Sequence, residues 1–406
     1  MIQLETPKKF AGLVQQAHQV AREIFRPHSR RYDLAEHAYP KELDALAALL
    51  DGMSAAGGNS GAGAAGVRRD ARIDEGNRNG SNLSTVLGTM ELCWGDVGLL
   101  LSMPRQGLGN SAIASVANAE QLARFGNRWA AMAITEPGCG SDSAAIRTTA
   151  VLDGDHYVLN GEKIYVTAGE RAELVVVWAT LDKSRGRAAI KSFVVEKGTP
   201  GFELVRLEHK LGIRASDTAA FVLKDVRVPR QNLLGDPEIK VGSGFAGVMQ
   251  TFDNTRPLVA AMAVGLTRAC LEETRKLLAK AGVNVDYLRP PITQPAAAAE
   301  LLRMQADYEA ARLLTLQAAW MADNRKPNSL QASMAKAKAG RTATEVALKC
   351  IELAGSLGYA EGEAGHGLLE KWARDAKILD IFEGTQQIQL LIVARRLLGK
   401  TSAELK

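Results

Sequence analysis

Apolar residues recur at helical spacing over the first part of the chain, form strand-like runs in the middle, and return to helical spacing to the end. In KKFAGLVQQAHQVAREIF, Phe10, Leu13, Val14, Ala17 and Ala21 fall on one helical face. SNLSTVLGTMELCWGDVGLLL predicts a second helical run. Between them, Asp51 to Gly80 holds GGNSGAGAAG and then mixed charges, which reads as a surface loop or as an entry lid. From about 126 the texture changes. HYVLNGEKIYV sets Asn160-Gly161 between two apolar, aromatic-rich runs and predicts a hairpin there, because a two-residue primed turn needs positive φ at both central positions. WAAMAIT is strand-like, ELVVVWATL reads as a buried strand, and KSFVVEKGTPGFEL and TAAFVLKDVRVP read as further strands ended by Gly and Pro. No helical spacing separates them.

From about 241, TRPLVAAMAVGLTRACLEETRKLLAKAG, QPAAAAELLRMQADYEAARLLTLQAAWMADN, SLQASMAKAKAGRTATEVALKCIELAGSLG and TQQIQLLIVARRLLGK predict four long helices. Pro295 opens the second, Gly355 and Gly358 end the third, and Thr385 N-caps the fourth before Gly399 stops it. The expected class is a multidomain α+β protein. It has an N-terminal helical domain (1–125), a central antiparallel β-domain of barrel or sandwich type (126–240) and a C-terminal four-helix bundle (241–406). Helical domains that bracket a β-domain place a ligand cleft at their junction.

Composition adds mostly exclusions. With 46% apolar and 23% charged residues the chain builds cores and is not disordered. Lys and Arg total 50 against 45 Asp and Glu, too small and too dispersed a surplus for nucleic acid. Cys93, Cys139, Cys270 and Cys350 lie far apart, as do the six histidines, so neither a metal site nor a disulfide framework is expected. The opening MIQLETPKKFAGLVQQ lacks an apolar signal core, and no window approaches the roughly 18 apolar residues of a membrane span. A cytoplasmic protein is the expectation.

Three stretches carry candidate chemistry. In AITEPGCGSDSAA, Gly138 and Gly140 permit close backbone approach, and Thr135 and Ser141 offer hydroxyls. The stretch is a backbone cradle for an anion or a heterocycle edge, or simply a tight turn. In FDNTR, Asp253 and Arg256 are three apart and share a helical face. In IFEGT, Glu383 follows the apolar KILDIF and precedes Gly384 and a helix start. A carboxylate in apolar surroundings has a raised pKa and suits a general base. Standing alone, it reads more simply as an acidic residue complementing the positive end of a helix dipole.

Together with LNGEKIYVTAGERAELVVVWA and HKLGIRASDTAAFVLKDVRVPRQNLLG, and with the longer FDNTRPLVAAMAVG and RDAKILDIFEGTQQIQLLIVAR, these stretches resemble the acyl-CoA dehydrogenase family over most of the chain. The resemblance implies FAD-dependent α,β-dehydrogenation of an acyl-CoA thioester, with electrons passed to an electron-transfer flavoprotein. It implies Glu383 as catalytic base, with its backbone N–H stabilising the enolate-like oxygen, and Gly384 allowing close approach. It implies Ile134, Thr135, Gly140, Ser141, Tyr165, Val166, Thr167, Thr385 and Gln387 on the FAD. Ser141, Asp253, Arg256, Gly384 and Arg395 fall on the acyl-CoA side. A homo-oligomer is implied, a dimer or a dimer of dimers (homotetramer). Leu100, Leu101, Met103 and Pro104 stand where the family lines its acyl pocket, which suggests a longer or bulkier apolar acyl group.

One interval departs from the family pattern. Where relatives carry an Arg, Phe-Gly and Gln that bind FAD pyrophosphate across a subunit interface, this chain has GVNVDYLRPPITQP. Tyr287 stands for the Phe, and Arg289 or Gln294 substitutes from a shifted position; Glu352 stands where a Gln is common. Two alternatives accompany the main reading: a flavin oxidase on the same scaffold, and a flavin-poor partner subunit of a hetero-oligomeric acyl-CoA dehydrogenase.

Overall fold

The computed structural model describes residues 6–48, 80–105, 107–239, 246–361 and 367–405, with the backbone alone over 246–254. All but the last residue of the Gly-rich interval lies outside the described residues, as does the side chain of Asp253.

The N-terminal layer is helical. α1 (Ala11–Val20) runs through a π-helical turn (Ala21–Phe25) into α2 (Arg26–Leu34). The single helical run expected after the Gly-rich interval is two helices, α3 (Ser81–Gly95) and α4 (Val97–Leu101). They break at Asp96, whose carboxylate caps α4 by accepting from Leu99 N at 2.7 Å. α5 (Leu108–Val116) and α6 (Ala119–Phe125) follow, and Asn118 and Gln121 close a reciprocal capping box on α6.

The middle of the chain is one sheet of eight strands: β1 (Ala130–Ala133), β2 (Thr149–Asp153), β3 (His156–Thr167), β4 (Leu174–Thr180), β5 (Ile190–Glu196), β6 (Phe202–Leu207), β7 (Thr218–Pro229) and β8 (Leu233–Leu234). Its order is β6-β7-β3-β2-β4-β5-β8, with β1 added beside β4. Pairing is antiparallel except for β1 on β4 and a single β2–β4 position. Every residue of β4 is buried, which explains its unbroken apolar run. Val175 and Val177 face a core shared with Leu159, Phe193 and Phe221, while Leu174 and Val176 face Ile113 of α5 and Phe125 of α6.

The hairpin expected at Asn160-Gly161 is not there. β3 continues through both residues, and the turn lies one strand earlier, between the paired Asp153 and His156, with Gly154 at φ +62°. Gly161, at φ +155°, instead faces a bulge in β7, where Lys224 and Asp225 together stand opposite Asn160 and Asp225 takes φ +52°. A Cβ at Gly161 would stand 2.4 Å from Thr148 Oγ1.

The C-terminal bundle holds α7 (Ala246–Lys280), α8 (Ala296–Asp323), α9 (Ser329–Ala354), the one-turn α10 (Ser356–Tyr359), α11 (Leu369–Leu379) and α12 (Gln386–Leu398). α9 packs against α7, α8, α11 and α12, and α3 of the N-terminal layer packs on α7. The three layers meet at a buried polar knot. Lys371 Nζ of α11 lies 2.7 Å from Asp96 Oδ2 and 2.5 Å from Asp375 Oδ2. Ile213 N, between β6 and β7, donates to Asp375 Oδ1 at 2.5 Å. Burial pulls the Lys371 ammonium down, but Asp375 and Asp96 more than offset it, so it stays charged.

Candidate active site

Glu383 sits on the short turn between α11 and α12, and the local sequence dictates its pose. α11 ends at Leu379, and the carbonyl of its C-cap Asp380 accepts from Gln386 N at 3.0 Å. Thr385 caps α12, accepting from Ile388 N at 3.3 Å. Closing this loop puts two successive residues in the left-handed region, Glu383 at φ +56° and Gly384 at φ +88°. Glycine adopts that conformation freely; for a glutamate it costs on the order of 1–2 kcal/mol, held only because the surroundings over-determine it.

Those surroundings can be named. Lys336 of α9, fully buried, donates from Nζ to Gly384 O at 2.6 Å. Gln389 Nε2 donates to the carbonyls of Glu383 and Gly384 at 3.1 and 3.2 Å. Thr255 Oγ1 donates to Glu383 Oε2 at 3.0 Å. Burial pushes the Glu383 carboxyl up, partly offset by the Thr255 hydrogen bond and by the charges of Arg256 and Lys336. Burial also pulls Lys336 down to about 8, against the opposing fields of Asp380 and Glu383. Arg256 is buried on α7. A half-buried carboxylate of raised pKa, aimed by a hydroxyl and fixed from behind by a buried ammonium, has the chemistry to accept a proton.

The second cluster lies on the β-domain. Glu136 in the turn after β1 is buried and fully engaged. It accepts from Lys163 Nζ (2.8 Å), Thr148 Oγ1 (2.6 Å), Thr148 N (2.9 Å) and Arg147 N (2.6 Å). Lys163 also donates to Ile134 O at 3.1 Å, and Ile164 N to Thr135 O at 3.0 Å. The residue types of this stretch allow either a turn or a cradle. The structure builds a rigid turn on Glu136 and leaves Pro137, Gly138, Gly140, Ser141 and Asp142 exposed above it. A bulge between Lys163 and Val166, with Tyr165 at φ +56°, turns the tyrosine outward at 63% exposure. Thr135 and Thr167 are half-buried at the same turn and strand.

The remaining expected site residues lie as follows. The Val166 side chain belongs to the β-domain core. Gln387 is exposed, and Arg395 Nε donates to Leu405 O at 2.7 Å within the C-terminal segment. Met103 is spent on a core with Phe25, Tyr32 and Leu43, while Leu100 and Leu101 pack beside the bundle core. In the divergent interval, Arg289 donates to Thr293 O, and Gln294 binds Asp286 and Arg289 backbone. Glu352 is paired with Lys349.

Thr255, Lys336 and Gln389 were missed as site residues. Lys336 did carry a signal: it lies on the apolar face of α9 formed by Ala332, Ala335, Ala339 and Ala343, where a lysine is rare unless engaged.

The acyl-CoA dehydrogenase middle-domain model matches residues 131–226, and the C-terminal-domain model of the same family matches 242–398. A short-chain specific acyl-CoA dehydrogenase of Clostridium acetobutylicum is 34% identical over 79% of this chain and 84% of its own length. The chain belongs to the acyl-CoA dehydrogenase family. The mouse mitochondrial short-chain specific acyl-CoA dehydrogenase is 39% identical over 67% of this chain, and the match spans 64% of that relative's length. Among solved structures, butyryl-CoA dehydrogenase from Megasphaera elsdenii is similar with a TM-score of 0.80 at 29% identity, over 98% of this chain and 100% of that one. The helix–sheet–helix order described above is thus the acyl-CoA dehydrogenase fold, and among the described residues no helix is long and apolar enough to cross a membrane.

Proposed function

We propose that this chain is an FAD-dependent acyl-CoA dehydrogenase in which Glu383 removes the α-proton of an acyl-CoA thioester. The observation that carries the reading is the Glu383 carboxyl itself: desolvated, raised in pKa and tethered on a strained turn by Thr255, Lys336 and Gln389. A raised pKa brings the base nearer to neutral pH and increases the driving force for taking a weakly acidic proton. A positioned base contributes about 10²- to 10⁴-fold. Thr255 fixes which carboxylate oxygen is held and which is free. Gly384 gives the backbone close access, so that the Glu383 N–H serves the thioester oxygen as charge develops on it.

The exposed rim of Gly138, Gly140 and Ser141, with Thr135, Thr167 and the outward Tyr165 ring, fits a flavin nucleotide. A Cβ at Gly138 would meet nothing within 4 Å, so the backbone there is open to a ligand. When bound, the flavin supplies the two-electron acceptor for the β-hydrogen. Thr385 and Gln387 at the start of α12 hold the same nucleotide, while Ser141, Asp253, Arg256 and Arg395 serve the CoA thioester. An electron-transfer flavoprotein is the proposed oxidant of the reduced enzyme. Exposed apolar side chains in the connection between α7 and α8, Leu288 at 95% and Ile292 at 93%, favour a homo-oligomer.

The test is to purify the chain with FAD and mix it anaerobically with straight-chain and branched acyl-CoA thioesters of increasing length. Bleaching of the flavin with formation of enoyl-CoA is expected, and the rates rank the acyl groups. No bleaching with any thioester refutes the reading. Peroxide formed in air at the full reduction rate identifies an oxidase instead, and a stable chain that takes up no FAD identifies a partner subunit.

A further inference from the structure

We propose that Glu36, His37 and His209 form a binding site for a divalent transition ion of the zinc class, clipping the N-terminal helical layer to the β-domain. Glu36 and His37 lie in the turn after α2, and His209 lies just after β6, 173 positions from Glu36. One donor atom from each of the three lies within 4.8 Å of the others. The sequence gives no hint of such a group, because no short spacing joins its members.

Both turns are pinned by bonds that leave the donor atoms in place. Lys210 N donates to Glu36 Oε1 at 2.8 Å, and Glu36 Oε2 faces His209 Nδ1 at 2.9 Å. Arg171 donates to His37 O and Ala38 O at 3.2 and 3.0 Å, and to Ala215 O at 3.0 Å. Cations nearby are engaged elsewhere: Lys210 Nζ donates to Ser216 O at 2.6 Å, Arg171 pairs with Asp217 at 3.3 Å, and Arg214 Nε donates to Lys210 O at 2.9 Å.

An ion pair between His209 and Glu36 does not account for His37. Both of its ring nitrogens are cut off from solvent, and neither has a hydrogen-bond partner among the described residues. Buried polar atoms are nearly always satisfied, so an imidazole with two orphaned nitrogens demands an explanation. Its backbone is held at φ +69°, a region histidine enters more readily than most residues. The His37 and His209 rings stand 5.4 Å apart between centroids. A tetrahedral ion with bonds of about 2.0–2.2 Å needs donors closer than they stand here. The His209 side chain is 85% exposed, so turning it inward closes the group without moving either pinned backbone. Two imidazoles and one carboxylate suit Zn²⁺ or its neighbours and not Mg²⁺ or Ca²⁺, which take oxygen ligands; water completes the shell.

The experiment uses the full chain with its flavin, stripped by a chelator and titrated with Zn²⁺ against a chromophoric competitor. One Zn²⁺ per chain is expected, together with a raised thermal unfolding midpoint that Mg²⁺ does not reproduce. His209→Ala and His37→Ala should each weaken binding by about tenfold or more and abolish the Zn²⁺-dependent shift. Far-ultraviolet circular dichroism reports folding in every variant, and the exposed His209 keeps the test decisive if His37→Ala misfolds. Absence of binding to the parent, equal binding by His209→Ala, or an equal shift with Mg²⁺ overturns the proposal.

Discussion

Replacing Lys336 by Met removes the ammonium beneath the Glu383 turn while keeping most of its volume. Two terms decide what that does to stability. A pKa depressed from 10.5 to about 8 corresponds to roughly 3 kcal/mol for holding the charge in the folded state at neutral pH. The charged hydrogen bond to Gly384 O returns about 1.5–3 kcal/mol. The two nearly cancel, so Lys336→Met is expected to keep its fold within about 1–2 kcal/mol. The pH dependence follows from the sign of the shift. Below about 8, Lys336 is charged in both states; between about 8 and 10.5 only the unfolded chain holds the proton, so the parent gains stability with rising pH and the variant lacks that gain.

The effect on turnover does not cancel. Gly384 O keeps only Gln389 Nε2 at 3.2 Å, and the strained turn is free to relax. A displacement of about 1 Å at a catalytic group costs about 10²-fold. Losing the cation also moves the already raised Glu383 pKa further up, so the acid limb of the rate profile shifts to higher pH. Anaerobic stopped-flow bleaching of the flavin across pH measures both effects, with the visible spectrum reporting retained FAD and urea unfolding reporting stability. A variant that keeps its flavin, bleaches at the parent rate and shows the same acid limb refutes the positioning role of Lys336.

Three further outcomes are expected. Thr255→Val removes the 3.0 Å hydrogen bond to Glu383 Oε2 and, since that bond lowers the carboxyl pKa, moves the acid limb of kcat/KM upward; an unchanged limb counts against the contact. Gly384→Ala would set a Cβ 2.4 Å from Gln389 Nε2 at φ +88°. Flavin reduction should fall about tenfold or more while cooperative unfolding persists, and a variant with parental kinetics shows that the turn tolerates displacement. Lys163→Ala leaves the buried Glu136 without its cation and should cost about 3–5 kcal/mol in urea unfolding; a loss under 1 kcal/mol means the β1 turn does not depend on the pair.

Much of this architecture is legible in residue spacing. The apolar run of β4 and the long periodic stretches of α7, α8 and α9 each bury a face that their sequence displays. The misplaced hairpin shows the limit. Asn160-Gly161 and Gly154-Asp155 both carry turn chemistry, and only pairing with β7 decides that β3 runs straight through Gly161 opposite a bulge in β7. The break at Asp96 is similar, since its carboxylate is claimed by α4 and by Lys371 from the far end of the chain. At the site, Glu383 stood out by its apolar neighbours. Its supports come from α7, α9 and α12, and no local pattern joins Thr255, Lys336 and Gln389 to one turn.

Glu383→Gln keeps the side-chain shape and the Thr255 contact but removes the proton acceptor. In the FAD-loaded variant mixed anaerobically with a thioester that bleaches the parent, the flavin should stay bound and bleach about 10²- to 10⁴-fold more slowly. Bleaching at the parental rate would place the base elsewhere and contradict the account.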